Sequence, residues 1–345
     1  MRSFPMSSLP ASADGLNGDR THSTVSLKNP HIVALGGGHG LSTLLRGLKA
    51  YTNRLTAIVT VADDGGSSGM LREGLGLLPP GDLRNCLVAL AEAEPLMTQL
   101  FQYRFGRGTG LDGHAFGNLF IAALAGITGS FEGAIGAASR VLAVRGRIVP
   151  ATLENVVLCA EVHDRADAQA SPKLVYGQSR IAQAGGVVER VYLRPENAKG
   201  YPEAIRALLQ ADMIVLGPGS LYTSVLPNLL VQDIRNALWA SAAVKVFVCN
   251  VATQPGETDG YDVGEHVRAL REHVGAELWH YVLANSNTDF RLPPTSKSAM
   301  VQPSCDDLQV GQVIYADLVD RELPWRHDPA RLAQALLRLY GTWGC

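Results

Sequence analysis

Short apolar runs alternate with longer helix-forming stretches along the chain from residue 31 onwards. The short runs are rich in valine and isoleucine and carry few charges, which is typical of strands buried on both faces. The predicted strands are His31–Leu35, Thr56–Val61, Val156–Val162, Val187–Leu193, Met213–Leu216, Val244–Cys249, Leu278–Leu283 and about Val310–Tyr315. The predicted helices are Leu41–Lys49, Asp82–Ala93, Pro95–Tyr103, His114–Gly126, Phe131–Val144, about Val231–Ser241, about Val263–His273 and Pro329–Leu339.

This alternation predicts an α/β fold with a doubly wound, mostly parallel sheet. Crossovers in such a sheet are right-handed, and ligands bind at the carboxyl ends of its strands near a topological switch point. We predict a single domain over residues 29–345, in which a helical block at about 82–145 is an insertion over the carboxyl edge of the sheet. Residues 1–28 are polar and serine-rich without apolar periodicity, which predicts a disordered extension.

Charge and cysteine content argue against several classes of protein. The net charge is −2, so no basic balance favours nucleic acid or an anionic membrane. The five cysteines form no Cys-x-x-Cys pair, which fits a reducing cytosol better than a zinc site or a disulfide framework. No apolar run is long and charge-free enough to span a bilayer, and residues 1–28 lack the apolar segment of a signal peptide. We therefore predict a cytoplasmic protein.

Two adjacent carboxylates, Asp63 and Asp64, follow the second predicted strand and precede a loop of glycines and serines. Adjacent carboxylates repel each other and favour water, a cation or hydrogen-bond donors. The glycines let backbone N–H groups approach a ligand, and Ser67 and Ser68 add hydroxyl groups. The loop therefore suits a phosphate-bearing ligand, with Mg²⁺ bridging it to the two aspartates. A ribose-binding acid, a helix N-cap and a solvated turn are the alternatives.

Glycine-containing turns follow two other predicted strands, His31–Leu35 and Met213–Leu216. Glycine permits a tight turn, and free N–H groups at a helix N terminus attract an anion. Leu41 stands where a dinucleotide fingerprint has its third glycine, so the first turn is an incomplete fingerprint. A bare tight turn is the alternative at both places. The candidate phosphate-binding residues are Gly37, Gly38, His39, Gly40, Gly217, Gly219 and Ser220.

A further strand-end loop follows Val244–Cys249 and carries Asn250, Thr253 and Gln254. Their amide and hydroxyl groups can read a base, a sugar or a phosphate. A plain turn at Pro255-Gly256 is the alternative. Because the carboxyl ends of parallel strands meet at one edge of a sheet, all four loops are predicted to contribute to one pocket.

The helical block adds five candidates near the same edge. Asp82 is predicted to be an N-cap, and Arg84 and Asn85 then lie in the first helical turn, near any anion held there. His114 and Asn118 are four residues apart and are predicted to share one helix face. His114 joins Asp63 and Asp64 as a candidate catalytic residue, with a structural histidine as the alternative.

Two further predictions concern helices away from this edge. His266 and His273 lie on one predicted helix without a nearby third ligand and are predicted to be solvated. Asp328-Pro329 is predicted to start the last helix, with an aspartate N-cap followed by proline at the first helical position.

Seven motifs in this order are similar to those of one bacterial family. They are Gly-Gly-Gly-x-Gly-Leu-Ser at 36–42, Val-Ala-Asp-Asp-Gly-Gly-Ser-Ser-Gly at 61–69, Pro-Pro-Gly-Asp-x-Arg-Asn-Cys at 79–86, Phe-Gln-Tyr-Arg-Phe at 101–105, His-x-x-Gly-Asn at 114–118, Gly-Pro-Gly-Ser-Leu-Tyr-Thr-Ser at 217–224 and Thr-Gln-Pro-Gly-Glu-Thr at 253–258. The chain resembles the gluconeogenesis factors, the YvcK-like branch of the 2-phospho-L-lactate transferase (CofD-like) superfamily. The resemblance covers about residues 30–340.

The resemblance implies a Rossmann-like fold and a cytoplasmic protein that binds UDP-N-acetylglucosamine or UDP-glucose. It also implies a link from carbon metabolism to cell-wall synthesis and cell shape, with protein partners in cell-wall synthesis and a homodimer as further expectations. No cofactor is required, although Mg²⁺ is compatible. The chain departs from the family at His39, where threonine is usual, and at Gln178, where glutamate is usual. The second departure removes a carboxylate from a candidate site.

Three functions follow from these residues. The first is a nucleotide-sugar-binding factor without turnover, favoured because binding groups are many and no nucleophile is evident. The second is a Mg²⁺-dependent transferase of the phospholactate type, in which Asp63 and Asp64 hold the metal ion. The third is a dinucleotide-dependent oxidoreductase, which the missing third glycine weakens.

Overall fold

The computed structural model of the protein describes residues 29–92, 95–167, 171–275, 278–304 and 312–343. The predicted extension at residues 1–28 lies outside these ranges. The strands are β1 Ile32–Gly36, β2 Leu55–Val59, β3 Arg147–Pro150, β4 Val157–His163, β5 Lys173–Tyr176, β6 Val187–Arg194, β7 Met213–Leu216, β8 Val244–Val248, β9 Tyr281–Asn285 and β10 Gln312–Ala316. The helices are α1 Gly38–Leu48, α2 Gly66–Leu75, α3 Gly81–Leu90, α4 Pro95–Gln102, α5 Phe116–Thr128, α6 Phe131–Val141, α7 Gln178–Ile181, α8 Pro202–Leu209, α9 Leu226–Leu229, α10 Gln232–Ala240, α11 Val263–Val274 and α12 Pro329–Thr342, and Leu221–Val225 forms a π-helical turn.

Seven strands form one parallel sheet in the order β10-β9-β8-β7-β1-β2-β3. The central strands are apolar and completely buried, because helices cover them: α1 and α9 both pack against β1. The predicted α/β fold with a mostly parallel sheet is thus confirmed. From β1 the chain moves outward through β2 and β3, then returns to β7 and moves outward the other way. The switch point therefore lies between β1 and β7.

A second, smaller sheet is antiparallel and has the order β5-β4-β6. It lies in the chain between β3 and β7, and the short helix α7 connects β5 to β6. The chain between β2 and β3 is the helical block α2 to α6. Within it α3 packs against α1, β2 and β3, so the block is anchored to the main sheet.

Several elements differ from the sequence-based prediction. The first turn of helix α2 lies where the sequence predicts a glycine-serine loop. The loop was predicted because glycine and serine are poor helix formers. Tertiary contacts stabilise the first turn of α2 instead: Asn118 Nδ2 donates to Ser67 Oγ over 3.0 Å, and the Gly81 N–H donates to Ser68 Oγ over 3.1 Å. The edge strand β3, the strand β5 and the helices α7 and α9 were also not predicted, because each has only four residues. Helix α8 was not predicted either.

The prediction that His266 and His273 are solvated is wrong. His266 is only 1% exposed, and His273 Nε2 accepts a hydrogen bond of 3.0 Å from the Val191 N–H. Both histidines lie at helical spacing with the buried Val263, Val267 and Leu270, so they share the face of α11 that packs inward. Burial lowers the pKa of both imidazoles.

The predicted start of the last helix is confirmed. The Asp328 carboxylate accepts a hydrogen bond of 2.9 Å from the Arg331 N–H, and Pro329 is the first residue of α12. In the described ranges no single helix is long and apolar enough to cross a membrane. Among the same residues only α5 and α6 taken together meet that test by length and composition, and they form a pair bent by 118°.

Candidate functional site

A cleft of about 510 Å³ opens at the carboxyl ends of β1 and β7, at the switch point of the main sheet. The loops after β1, β7 and β8 form its floor, and residues of α7 and of the segment 325–327 form its sides. Of the residues predicted to bind a ligand, those that line the cleft are Gly37, Gly38, His39, Gly40, Gly219, Ser220, Asn250, Thr253 and Gln254. Those predicted residues that lie outside its lining are Asp63, Asp64, Ser67, Ser68, Arg84, Asn85, His114, Asn118 and Gly217.

The two glycine loops interlock across the switch point. A Cβ atom on Gly40 would overlap the carbonyl oxygen of Pro218 and would lie 2.9 Å from the Cα of Gly219, so only glycine permits this approach. Gly38 has a φ of +62°, which also favours glycine. The side chain of Asn228, completely buried, donates to Gly36 O over 3.2 Å and to Ser224 O over 2.8 Å. The end of β1 is therefore fixed to the turn that follows β7.

The loop after β8 is fixed to the second glycine loop by side-chain amides. Asn250 Oδ1 accepts a hydrogen bond of 3.2 Å from the Gly219 N–H, and Asn250 Nδ2 donates to Gly219 O over 2.9 Å. Gln254 Nε2 donates to Ser220 Oγ over 2.6 Å. These polar groups hold the wall of the cleft in one arrangement and leave backbone and hydroxyl groups along it.

The electrostatic environment at the start of α1 is positive. Burial lowers the pKa of His39, and the charges of Arg326, Arg46 and Arg84 lower it further. Helix α1 has no acidic residue in its first turn, and no side chain of its N-cap closes that end. Helix N termini and guanidinium groups both attract anions. This part of the cleft is therefore suited to a phosphate group.

One carboxyl group, that of Asp82, borders this positive region. Burial raises the pKa of Asp82 to about 7, and the charge of Asp63 raises it too, whereas the Gly38 N–H and Arg84 oppose the shift. The prediction that Asp82 is an N-cap is wrong, because α3 begins one residue earlier, at Gly81. The carboxyl group reaches the loop after β1 instead, where a Cβ on Gly37 would overlap it.

The raised pKa of Asp82 predicts a pH-dependent stability. Between pH 3.8 and about 7 the unfolded chain releases this proton while the folded chain keeps it, so the free energy of unfolding falls as pH rises through that window. Asp82→Asn removes this loss and is expected to stabilise the protein by roughly 1–3 kcal/mol above pH 7, since one pKa unit corresponds to about 1.4 kcal/mol. Urea unfolding at pH 5, 6, 7 and 8 measures the effect.

Asp289→Asn is the matched control for this experiment, because Asp289 is exposed. Its stability relative to the wild type is expected to stay within about 0.5 kcal/mol at every pH. A difference between Asp82→Asn and the wild type that does not grow from pH 5 to pH 8 contradicts the prediction.

Two of the predicted residues outside the cleft, His114 and Asn118, lie beside a third, Ser67. Its hydroxyl oxygen accepts from the Ala115 N–H and from Asn118 Nδ2, and His114 Nδ1 lies 3.3 Å away. His114 and Asn118 are thus brought together, although not as predicted: α5 begins at Phe116, so His114 precedes the helix. Ser67 here connects two helices.

The two adjacent aspartates face different neighbours. Asp63 Oδ1 accepts from the Gly65 N–H over 2.9 Å, while Asp64 Oδ1 accepts from the Ser179 N–H over 2.8 Å. Asp64 thereby fastens α7 to the main sheet. Over the described ranges no group of three or more His, Cys, Asp or Glu is placed to hold a metal ion. Mg²⁺ at Asp63 and Asp64 stays a prediction, and such an ion takes its other ligands from water and phosphate.

Comparison with known proteins identifies the family. The family described as 2-phospho-L-lactate transferase CofD matches residues 32–317. The chain belongs to the CofD family. A relative from Bacillus subtilis, named gluconeogenesis factor, is 50% identical over 75% of this chain and 80% of its own length. Another from Clostridium acetobutylicum is 52% identical over 76% of this chain, and the match spans 57% of that relative.

A solved structure supports the α/β fold of this chain. The crystal structure of a Bacillus halodurans protein has 44% sequence identity and a TM-score of 0.82, and the match covers 90% of this chain and 100% of that one. The α/β architecture of this chain is therefore that of a solved relative.

The cleft is also lined by residues that the sequence pattern did not predict as site residues. Trp325, Arg326 and His327 line it from the segment before α12, and Glu257 lines it from the loop after β8. Trp325 is 40% exposed. His327 is buried, and burial lowers the pKa of its imidazole to about 4. The Trp-Arg-His run between the last strand and the last helix was the available signal, because small-molecule sites combine aromatic side chains with a few charged or polar groups.

Proposed function

We propose that this cleft binds a nucleotide-activated sugar, such as UDP-N-acetylglucosamine or UDP-glucose, and that the protein acts as a binding factor without turnover. The observation that carries the proposal is the positive start of α1, where Arg326 and the glycine loops face one cleft. A diphosphate is the part of such a ligand that these groups fit. The cleft of about 510 Å³ is also within the range of small-molecule sites.

The other cleft residues fit the remaining parts of such a ligand. Trp325 offers an exposed aromatic face on which a base can stack. The loop after β8 offers its backbone groups and the Thr253 hydroxyl for a base or a sugar, while the amides of Asn250 and Gln254 hold the loop in place. We extend to this chain the gluconeogenic role in the name of the Bacillus subtilis relative. A link to cell-wall synthesis and cell shape, cytoplasmic location, partners in cell-wall synthesis and a homodimer stay predictions.

A Mg²⁺-dependent transferase of the phospholactate type is the second candidate. The family description favours it, and so does the electrostatic effect of Asp63 on Asp82, whose carboxyl group lines the cleft. A metal ion there would neutralise charge on a transferred phosphoryl group. Turnover of a nucleotide-activated donor with Mg²⁺, lost in Asp63→Asn, would support this candidate over binding alone.

Isothermal titration with UDP-N-acetylglucosamine tests the favoured function. The wild type is expected to release heat at ligand concentrations below 1 mM, whereas no heat at millimolar ligand would contradict the proposal. Arg326→Gln removes a positive charge from the cleft and is expected to weaken binding by about 10-fold or more, since a charge-assisted hydrogen bond contributes about 1.5–3 kcal/mol.

Arg321→Gln is the control, because Arg321 is an exposed residue of the same segment outside the cleft lining. Its affinity is expected to match the wild type within about twofold. Equal losses in the two variants would show that overall charge, rather than the cleft, governs binding.

A further inference from the structure

Two buried acceptor atoms on the wall of the cleft have no protein donor. Gln178 Oε1 and Glu257 Oε2 are both inaccessible to solvent, and neither has a hydrogen-bond partner within the described residues. Both residues line the cleft. A buried polar atom without a hydrogen-bond partner destabilises the folded protein by about 1–3 kcal/mol. A bound ligand that supplies the missing hydrogen bond removes this cost.

Glu257 is held so that only one of its oxygens is free. The residue is 8% exposed, and Oε1 accepts a hydrogen bond of 2.8 Å from Thr223 Oγ1. Burial raises the pKa of this carboxyl group to about 7, while the Thr223 hydroxyl and the N–H groups of Tyr222 and Thr223 oppose the shift. The π-helical turn thus holds Oε1, and Oε2 is left without a partner among the described residues.

Gln178 is fixed by its neighbours in the chain. Gly177 has a φ of +100°, and a Cβ atom there would overlap the Asp64 carboxylate. Ser179, the residue after Gln178, donates its N–H to Asp64. One turn later, Ala182 packs so tightly on Gly256 that a Cβ atom on that glycine would overlap the Ala182 carbonyl oxygen. The end of α7 and the loop that carries Glu257 are therefore in contact.

The two unpartnered acceptors lie in a cleft whose other side is positive. A cation would satisfy Glu257, but Arg326 lines the same cleft and its charge disfavours a cation there. A hydroxyl group is neutral and donates to a carboxylate, and it can also donate to or accept from a carboxamide in either of its orientations. A ligand that fits both sides of the cleft therefore has an anionic group for the positive side and several hydroxyl groups for the side with the two acceptors.

We propose that Gln178 and Glu257 form a sugar subsite, in which they hold hydroxyl groups of the glycosyl part of the ligand. The glycine loops and Arg326 hold the diphosphate of the same molecule, so this inference rests on the proposed function. The subsite makes recognition of the sugar, and not only of the nucleotide, a property of the cleft. Gln178 and Glu257 are then residues that determine specificity.

Titration with UDP-N-acetylglucosamine and with UDP, side by side, tests the subsite. The wild type is expected to bind the UDP-sugar at least 10-fold more tightly than UDP. Gln178→Ala and Glu257→Gln are each expected to weaken UDP-sugar binding by about 10-fold, because a lost hydrogen bond to a buried group typically costs about 1–3 kcal/mol. Their UDP affinity is expected to stay within about twofold of the wild type.

Gln183→Ala is the matched control, because Gln183 is exposed, follows α7 and lies outside the cleft lining. It is expected to keep both affinities, and far-UV circular dichroism checks that each variant is folded. Equal affinity of the wild type for the two ligands, or equal loss of both ligands in the variants, would overturn the sugar subsite alone. No binding of either ligand by the wild type would overturn the proposed function with it.

Discussion

Gly40→Ala is expected to weaken binding of UDP-N-acetylglucosamine by about 100-fold or more, which corresponds to about 2.7 kcal/mol. The added Cβ atom would overlap the carbonyl oxygen of Pro218 and lie 2.7 Å from its carbonyl carbon and 2.9 Å from the Cα of Gly219. These are backbone atoms that cannot rotate away, so the two glycine loops must separate. The phosphate-binding groups on both loops then lose their alignment.

The same substitution is expected to lower the free energy of unfolding by about 1–3 kcal/mol, because inserting a methyl group into close packing forces the backbone to shift. Titration measures the affinity, and urea unfolding measures the stability. Gly126→Ala in α5 is the control, since a Cβ atom there meets nothing within 4 Å. This control should bind normally and gain up to about 1 kcal/mol from helix propensity. Wild-type affinity in Gly40→Ala would show that the contact between the loops does not shape the site.

Asn228→Ala is expected to destabilise the protein by about 2–4 kcal/mol, the largest stability loss among the proposed variants. Its Nδ2 atom donates both to Gly36 O at the end of β1 and to Ser224 O in the π-helical turn, and the side chain is 0% exposed. The alanine variant leaves a buried carbonyl oxygen with fewer donors and a cavity beside it. Urea unfolding at pH 7 measures the loss.

Asn197→Ala serves as the control for this variant, because Asn197 is exposed. Its free energy of unfolding is expected to stay within about 0.5 kcal/mol of the wild type. Similar values for the two variants would mean that the Asn228 hydrogen bonds contribute little to the end of β1.

The sequence predicted the central sheet well, and the reason lies in its burial. Strands β1 and β7 are apolar runs, and β8 is apolar apart from Lys245. All three are flanked by glycine or polar loops and are buried at every residue, so tertiary contacts agree with local preference. Helix α2 was missed because its first turn, Gly66-Ser67-Ser68-Gly69, favours a loop locally. Its contacts with the distant Gly81 and Asn118 are invisible in a single sequence.

The candidate site was predictable only in part. Loops after parallel strands meet at one sheet edge, so the meeting of Gly40, Gly219 and Asn250 followed from the strand prediction itself. In the sequence Gln178 stood out only as a departure from the family and Glu257 only as part of a motif, because their importance depends on which of their atoms lack partners in the described part of the folded chain. Adjacency in sequence also did not reveal that Asp63 accepts from its own loop while Asp64 accepts from α7, and a shared Mg²⁺ ion at the two stays a prediction.

The position of β1 in the middle of the sheet links formation of the cleft to the folding and stability of the whole protein. The loops after β1 and β7 come from distant parts of the chain, so they meet only after long-range strand pairing is complete. A ligand that spans both loops binds the complete fold and not a fragment of it, and at about one hundred times its Kd it would add about 2.7 kcal/mol to global stability. Chains without ligand would open more often and be degraded faster. The cellular amount of the protein would then follow the supply of the molecule that it binds.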